Sequence, residues 1–263
     1  MKSTLKYAAL IVALSLLARP LLAADGILIV EKTTSAGVTQ TNQVQIEKTR
    51  MRAESAGQNG GKQVFVFDGT AQVMRLIDND KKTYTEITKA DMDRFGAQMA
   101  GAMAQMQEQM KNLPPAQRAQ MEAMMRSRGM IAGTPPKTEY RKAGTDKVGK
   151  WTCDRYEGYL NDQKTSELCT VDPKALGFTV GDFQITQQLG EFFVKVMPQN
   201  ADQMFILGKS DPKGFSGVPV RRTYSVGQRQ IVSELTEISR QTFADSTFAV
   251  PAGFQKKAFA PGQ

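Results

Sequence analysis

Methionine is the residue of this chain whose type and spacing could carry chemistry. Nine of the fourteen methionines lie between residues 92 and 130. Met92, Met99, Met103, Met106 and Met110 recur at steps of seven, four, three and four residues, which predicts one face of an α-helix. The unbranched thioether side chain adapts to irregular apolar shapes, and its sulfur can coordinate a soft metal ion. The stripe therefore predicts an apolar contact surface or a soft-metal site.

Four interpretations of this stripe remain open on the sequence. It can be ordinary core, packed against a sheet, or a flexible lid over an apolar cavity. It can bind Cu(I), because Met99, Met103 and Met106 stand on neighbouring helical turns. It can also contact a protein partner in a chaperone-like role, since residues 113–117, Leu-Pro-Pro-Ala-Gln, faintly resemble the Leu-Thr-x-x-Gln element of small helical periplasmic chaperones.

The chain contains no histidine. This excludes Ser-His-Asp and Cys-His nucleophile activation as well as every histidine metal site. No other catalytic constellation stands out, so we predict a protein that is not an enzyme and needs no cofactor.

The first 24 residues have the pattern of a secretory signal peptide. Lys2 and Lys6 precede an apolar stretch over residues 7–17, and Ala23 and Ala24 offer a cleavage site. Removing this segment also removes the three cations Lys2, Lys6 and Arg19, which lowers the net charge from +8 to +5. That excess is scattered along the chain, so a nucleic-acid partner is not expected. We predict a periplasmic protein that is cleaved near Ala23 and Ala24.

The two cysteines, Cys153 and Cys169, suit a disulfide in an oxidising compartment. They lie on two strand-like segments joined by the turn-prone residues 161–164. If they face each other directly across a hairpin, Arg155 falls opposite Glu167, an opposite-charge pair that such a register would favour. We predict a structural bridge, because a catalytic redox pair usually has the closer spacing Cys-x-x-Cys.

Short strands separated by turns surround the methionine segment. Before it, the pattern predicts strands over residues 27–32, 38–52, 63–67, 72–77 and 83–87. After it, the pattern predicts strands over 138–142, 152–160, 165–171, 218–226 and 230–241, with a helix over 182–197 and a closing segment over 248–254.

The methionine segment itself predicts two helices and a hinge. Thr88 is a suitable N-cap with Asp91 as its capping-box partner, and the helical pattern runs over residues 89–112. Pro114 and Pro115 begin a second helix that ends near Gly129, and residues 129–137 form a Gly/Pro-rich loop or hinge. The order of elements predicts one α+β domain over residues 25–263 with a helical, methionine-rich insertion over 88–130.

Several short patterns together resemble a known family. They are Asp68-Gly69, Met74–Ile77, Lys82–Glu86, Gly149–Tyr156, Glu167–Cys169, Gly217–Arg221 and Phe248–Phe254. This set is similar to an exported bacterial family catalogued only as a domain of unknown function, whose architecture resembles the LolA/LolB-like lipoprotein-carrier superfamily. The resemblance implies a half-barrel: a curved antiparallel sheet with helices packed on its concave face, where carrier relatives take acyl chains. No ligand-contacting motif of that family matches residue by residue.

We therefore expect a periplasmic protein that holds a hydrophobic small molecule or lipid. Phe95, Met99, Met103, Met106 and Met110 are the residues expected to line or gate the cavity. The alternatives are soft-metal handling by the methionines and a structural or chaperone-like role in the envelope, with transient contacts to the membrane or to envelope proteins.

Overall fold

The computed structural model describes residues 26–56, 61–127, 138–160, 162–193, 214–226 and 229–260. The expected signal peptide over 1–24 and the expected hinge over 129–137 lie outside these residues. So do the last four residues of the helix expected over 182–197.

The described residues form one twelve-stranded sheet with three α-helices. The strands are β1 Gly26–Ser35, β2 Val38–Ile46, β3 Arg50–Ala56, β4 Lys62–Asp68, β5 Val73–Asp78, β6 Thr83–Thr88, β7 Thr138–Val148, β8 Trp151–Leu160, β9 Gln163–Val171, β10 Val218–Val226, β11 Arg229–Gln241 and β12 Gln255–Lys257. The helices are α1 Lys89–Lys111, α2 Pro115–Ser127 and α3 Gln184–Phe193, with 3₁₀ turns at Pro173–Leu176, Val180–Phe183 and Asp245–Phe248.

Two antiparallel meanders meet in the middle of the sheet. The strand order is β12-β6-β5-β4-β3-β2-β1-β11-β10-β9-β8-β7. Strand β1 pairs with β2 on one side and with β11 on the other, so the chain's first and eleventh strands join the two meanders. Only the short β12 pairs in parallel, with β6. This is the α+β architecture that the sequence predicts, with β12 as an addition that it does not predict.

The sheet is curved around α3 and is not closed into a barrel. A flat sheet of twelve strands would be about 53 Å wide, whereas a ten-residue helix is about 15 Å long. One core cluster, the main core, nevertheless contains Met74 of β5, Val148 of β7, and Leu189 and Phe192 of α3. The Phe192 ring meets Phe67 of β4 edge to face, with ring centroids 5.4 Å apart. Because the sheet is curved, one short helix packs against strands from both meanders.

The C-terminal segment covers the opposite, convex face of β3 to β5. We call residues 242–254 the C-terminal strap. Its Phe248 is buried in a second cluster, with Val64, Val66 and Ile77. The guanidinium of Arg50 lies 4.6 Å from the Phe248 ring centroid and also pairs with Asp245 at 2.9 Å. These contacts attach the strap to the start of β3.

The strand predicted over residues 38–52 is in fact two strands, β2 and β3. Residues 47–49 form a turn between them, in which the Glu47 amide donates to the Arg50 carbonyl at 2.8 Å. The Glu47 carboxylate is almost fully buried and accepts from Nε of Arg50 at 2.9 Å. This local ion pair stabilises the turn. The sequence pattern missed it because polar and apolar residues alternate up to the turn without a glycine or proline to mark it.

The register predicted for the cysteine hairpin is wrong by two residues. Arg155 lies opposite Cys169, and Glu157 lies opposite Glu167. Two carboxylates that face each other would be unfavourable alone. Lys164 offsets their repulsion because its ammonium binds Glu157 at 2.8 Å and Glu167 at 2.6 Å. Strands β8 and β9 are separated by two residues and not by four, and the register shifts again between Gly158 and Tyr159.

Candidate functional site

The methionine-rich helices form a hairpin, and its root is fixed to the sheet. We call α1 and α2 the arm. The Thr88 hydroxyl accepts from the Asp91 amide at 3.2 Å, and Asp91 accepts from the Thr88 amide at 3.0 Å, which completes the expected capping box. Hydrogen bonds from the side chain and backbone of Thr88, together with the charge of Arg94, lower the pKa of Asp91. Met92, one residue further, is buried in the main core.

The far end of α1 is fixed by α2. The Arg118 guanidinium donates to the carbonyls of Met110 at 3.1 Å, Lys111 at 2.7 Å and Leu113 at 3.3 Å. Lys111 ends α1, so its carbonyl is one that a helix C-terminus leaves without an intrahelical partner, and Arg118 satisfies it from the next helix. The Met110 carbonyl also accepts from the Leu113 amide at 3.1 Å. Met110 is buried at this junction. The arm is therefore fixed to the sheet at its root, and its two helices are joined at the far end of α1.

Between these two ends, the predicted site residues are only partly covered. Met99 is 42% exposed, Met103 and Met106 are half-buried, and Met110 is buried. Phe95 is half-buried and meets the Phe259 ring edge to face, with centroids 6.5 Å apart. In α1, the buried positions are Met92, Gly96 and Met110. Packing against the sheet thus involves the first two turns of α1, and the middle of the methionine stripe retains apolar surface that faces solvent.

A second feature, absent from the sequence-based expectations, is a hollow on the concave face of β4 to β6. Its volume is about 660 Å³. Phe65, Leu76 and Thr85 are successive cross-strand neighbours and form its floor, and Lys257 of β12 lies opposite Thr85. Two residues further along each strand, the rim is polar: Ser55, Gln63, Asp78 and Thr83.

The floor of the hollow continues the face that forms the core. Four buried residues lie opposite one another on the same face of β3 to β6: Met51, Phe67, Met74 and Ile87. One cross-strand row further from that core, Leu76 is 43% exposed. Alternate residues of a strand share a face, so the apolar surface of the core extends into the hollow and remains open to solvent there.

Charged groups surround the hollow on its rim. Lys62, Lys81 and Lys257 contribute cations, and Asp78 and Asp80 contribute anions. The Lys81 ammonium donates to Asp78 at 2.7 Å, and this hydrogen bond lowers the pKa of the Asp78 carboxyl. An apolar floor with a charged rim suits an amphiphilic ligand, whose chain would contact the floor and whose head group would remain at the rim.

The end of the described chain connects the hollow to the root of the arm. Lys257 lines the hollow, and Phe259 contacts both the main core and Phe95 on α1. Residues 64–67, Val-Phe-Val-Phe, are apolar on both faces of β4, a pattern that indicates a strand covered on both faces and not a hollow. The sequence carries no strand signal for β12, whose three residues, Gln-Lys-Lys, are all polar.

The predicted disulfide between Cys153 and Cys169 is present. The Cα atoms are 5.4 Å apart, and both cysteines belong to the main core. Their sulfur atoms are therefore far from solvent, which is typical of a structural bridge.

Two features are absent from the described residues. No helix among them is long and apolar enough to cross a bilayer. No group of three or more acidic, cysteine or histidine side chains in the described ranges converges where a metal ion could sit.

This fold, an open and largely antiparallel sheet with three helices, defines an α+β protein. The chain belongs to the family described as domain of unknown function DUF4412, whose model matches residues 88–254. The match begins at the N-cap of α1, so β1 to β5, most of β6 and β12 lie outside it although they belong to the same sheet. No curated protein matches the chain.

Many solved structures are similar to this chain, among them the following three. An uncharacterized conserved protein from Thermus thermophilus is 7% identical over 90% of this chain and 91% of its own, with a TM-score of 0.45. The Mycobacterium tuberculosis lipoprotein LppX is 7% identical over 83% and 89%, with a TM-score of 0.36. A chain of the Pseudomonas aeruginosa MucA/MucB complex is 11% identical over 88% and 56%, with a TM-score of 0.34. Scores this low carry no information about the function of this chain.

Proposed function

We propose that this protein is an exported, periplasmic binding protein, not an enzyme, that holds an acyl chain of a lipid or lipoprotein. The observation that carries the proposal is the hollow of about 660 Å³, on whose floor Phe65 and Leu76, beside Thr85, extend the apolar surface of the core to solvent. Ligand-binding pockets commonly have volumes of roughly 300–1,000 Å³, with apolar walls and a few polar groups. Phe65 and Leu76 would contact the chain, and the charged rim would meet the head group.

The arm supplies the adaptable part of the proposed site. Phe95, Met99, Met103, Met106 and Met110 share one face of α1, and the flexible methionine side chains can follow ligands of different shape. The contact between Phe95 and Phe259 brings the root of this face beside the chain segment that follows Lys257. A ligand in the hollow would therefore be close to the root of the arm.

Two features support export to an oxidising compartment. The bridge between Cys153 and Cys169 would be reduced in most cytosolic environments. The first 24 residues have the composition of a cleaved signal peptide. Measuring the mass of the mature protein after secretion tests this part: a chain that begins near residue 24 or 25 is expected, and an intact N-terminus would contradict export by cleavage.

Titration with a fluorescent fatty acid tests the binding site. Covering a whole leucine or methionine side chain contributes about 1.5–3 kcal/mol, so covering the exposed 42–43% of Met99 or Leu76 contributes roughly 1 kcal/mol. We expect Leu76→Gln to weaken binding about fivefold. We expect the triple change Met99→Gln, Met103→Gln and Met106→Gln to weaken it at least about tenfold, because glutamine keeps the helix propensity of methionine but not its apolar surface.

Val38→Thr is the matched control for these variants. Val38 is 60% exposed and begins β2, away from the hollow, so removing its apolar surface should leave the affinity unchanged. Saturable binding that only the hollow and arm variants weaken supports the proposal. Binding that all variants weaken equally, or no binding to the wild-type protein, contradicts it.

Cu(I) handling is the second candidate function. The observed α1 helix places Met99, Met103 and Met106 on neighbouring turns, where thioether sulfurs favour Cu(I). Met103→Ile together with Met106→Ile keeps the apolar surface and removes both sulfurs. Stoichiometric Cu(I) binding that this variant abolishes, with fatty acid binding intact, would support copper handling. Fatty acid binding without Cu(I) binding would contradict it.

A further inference from the structure

The free sulfur atoms of this protein are all thioethers. The chain has two cysteines, and both are in the disulfide. It also has no histidine and one tryptophan, Trp151, which packs against the main core. Outside the bridge, the methionines are therefore the side chains whose sulfur a peroxide can oxidise.

Among the methionines whose exposure the structure describes, four are buried, Met103 and Met106 are half-buried, and two are exposed. Met51, Met74, Met92 and Met110 are buried in the sheet core or at the arm junction. Met99 on α1 is 42% exposed and Met121 on α2 is 38% exposed. Both belong to the arm, and both are among the most exposed large apolar residues that the structure describes. An oxidant in solution reaches these two side chains without any opening of the fold.

We propose that Met99 and Met121 are a reversible oxidation site that changes the arm from apolar to polar. The oxidant is a peroxide or a hypohalous acid. With hydrogen peroxide, the sulfur lone pair attacks one oxygen, the O–O bond breaks and an S–O bond forms. The second oxygen leaves as water after a proton shift. Sulfur loses two electrons and the peroxide gains them, so the step is balanced without another reactant. Methionine sulfoxide reductases reverse it with two electrons from a dithiol, which becomes a disulfide, and the oxygen leaves as water.

Oxidation of Met99 would change the surface of the middle of α1, because large apolar side chains are scarce on its exposed face. Between the buried Gly96 and Met110, the exposed residues are mostly alanine, glycine and glutamine, so few apolar side chains contribute to this part of the arm. A sulfoxide at Met99 replaces the exposed large apolar side chain of that stretch with a polar one. The site itself does not depend on the proposed ligand, but an effect on ligand affinity rests on the proposed function.

Peptide mapping by mass spectrometry tests the site on the full-length, disulfide-bonded protein. After dilute hydrogen peroxide, we expect Met99 and Met121 to be oxidised at least about tenfold faster than Met51, Met74 and Met92. In denaturant, all five should react at similar rates, which controls for differences in the local sequence. Restoration of the original masses by methionine sulfoxide reductases A and B supports reversibility. Equal rates in the folded protein, or oxidation of the core methionines first, would overturn the proposal.

Substitutions separate the site from its effect on binding. Met99→Leu with Met121→Leu keeps the apolar surface, so peroxide should no longer change fatty acid affinity. Met99→Gln with Met121→Gln imitates the sulfoxide and should weaken affinity before any oxidant is added. If peroxide leaves the affinity of the wild-type protein unchanged while Met99 and Met121 are fully oxidised, the switching role is refuted. If the protein binds no fatty acid at all, the proposed function fails, and the oxidation rates still decide the modification site.

Discussion

Breaking the bridge between Cys153 and Cys169 should lower the free energy of unfolding by about 3 kcal/mol. The two residues are 16 positions apart, and a cross-link that closes a loop of this size restricts the unfolded chain by about that amount. For a chain of this length, such a loss corresponds to a decrease in Tm of roughly 6–12 °C. Urea unfolding of the oxidised protein and of the protein reduced by dithiothreitol measures the difference directly.

The variant Cys153→Ala with Cys169→Ala separates the cross-link from packing. Both side chains are almost fully buried, so this variant loses the bridge and also leaves small cavities in the main core. It should be slightly less stable than the reduced wild-type protein, and dithiothreitol should not change it further. A difference below about 1 kcal/mol between oxidised and reduced wild-type protein would refute the reasoning.

Three other predictions concern the root of the arm, the strap and the hollow. Asp91 has a lowered pKa in the folded protein, so its contribution is complete above the unfolded pKa of about 3.9 and is lost as the pH falls further. The hydrogen-exchange protection factors in the first turn of α1 should therefore fall below about pH 4 in the wild type, and those of Asp91→Asn should fall less; equal acid responses would contradict the capping role. Phe248→Ala should lower the free energy of unfolding in urea by about 3–5 kcal/mol, because it leaves a cavity in the cluster between the strap and the sheet. A loss below about 1 kcal/mol would contradict that packing. Leu76→Gln should leave the free energy of unfolding in urea within about 1 kcal/mol of the wild type, because the side chain is partly solvated already, and a larger loss would identify it as core.

Local features of this structure could be predicted from the sequence because they depend on neighbouring residues. The capping box needs only Thr88 and Asp91, three residues apart, and the helical spacing of the methionines depends on one segment. The pairing of Cys153 with Cys169 follows because the chain has no other cysteine. The α+β class follows from the order of strands and helices.

Other features depend on contacts between distant residues. The register of the cysteine hairpin is set by the short turn and by the shift near Gly158, together with the double ion pair of Lys164. Strand β12 forms because the strap returns the chain to β6, and its own sequence has no strand signal. The hollow requires β12 and the exposed end of the core face, so no local pattern could reveal it. Periodicity predicts the methionine face, but its partial exposure depends on which turns of α1 reach the core.

Native mass spectrometry of the protein taken directly from the periplasm tests ligand binding most directly. We predict an adduct with the mass of a lipid or acyl chain that organic solvent removes, and that returns when lipid is added back. The returning ligand should protect the amides of β5 and α1 from hydrogen exchange. Protein that carries no adduct, and whose β5 and α1 gain no protection when lipid is added, would contradict the account.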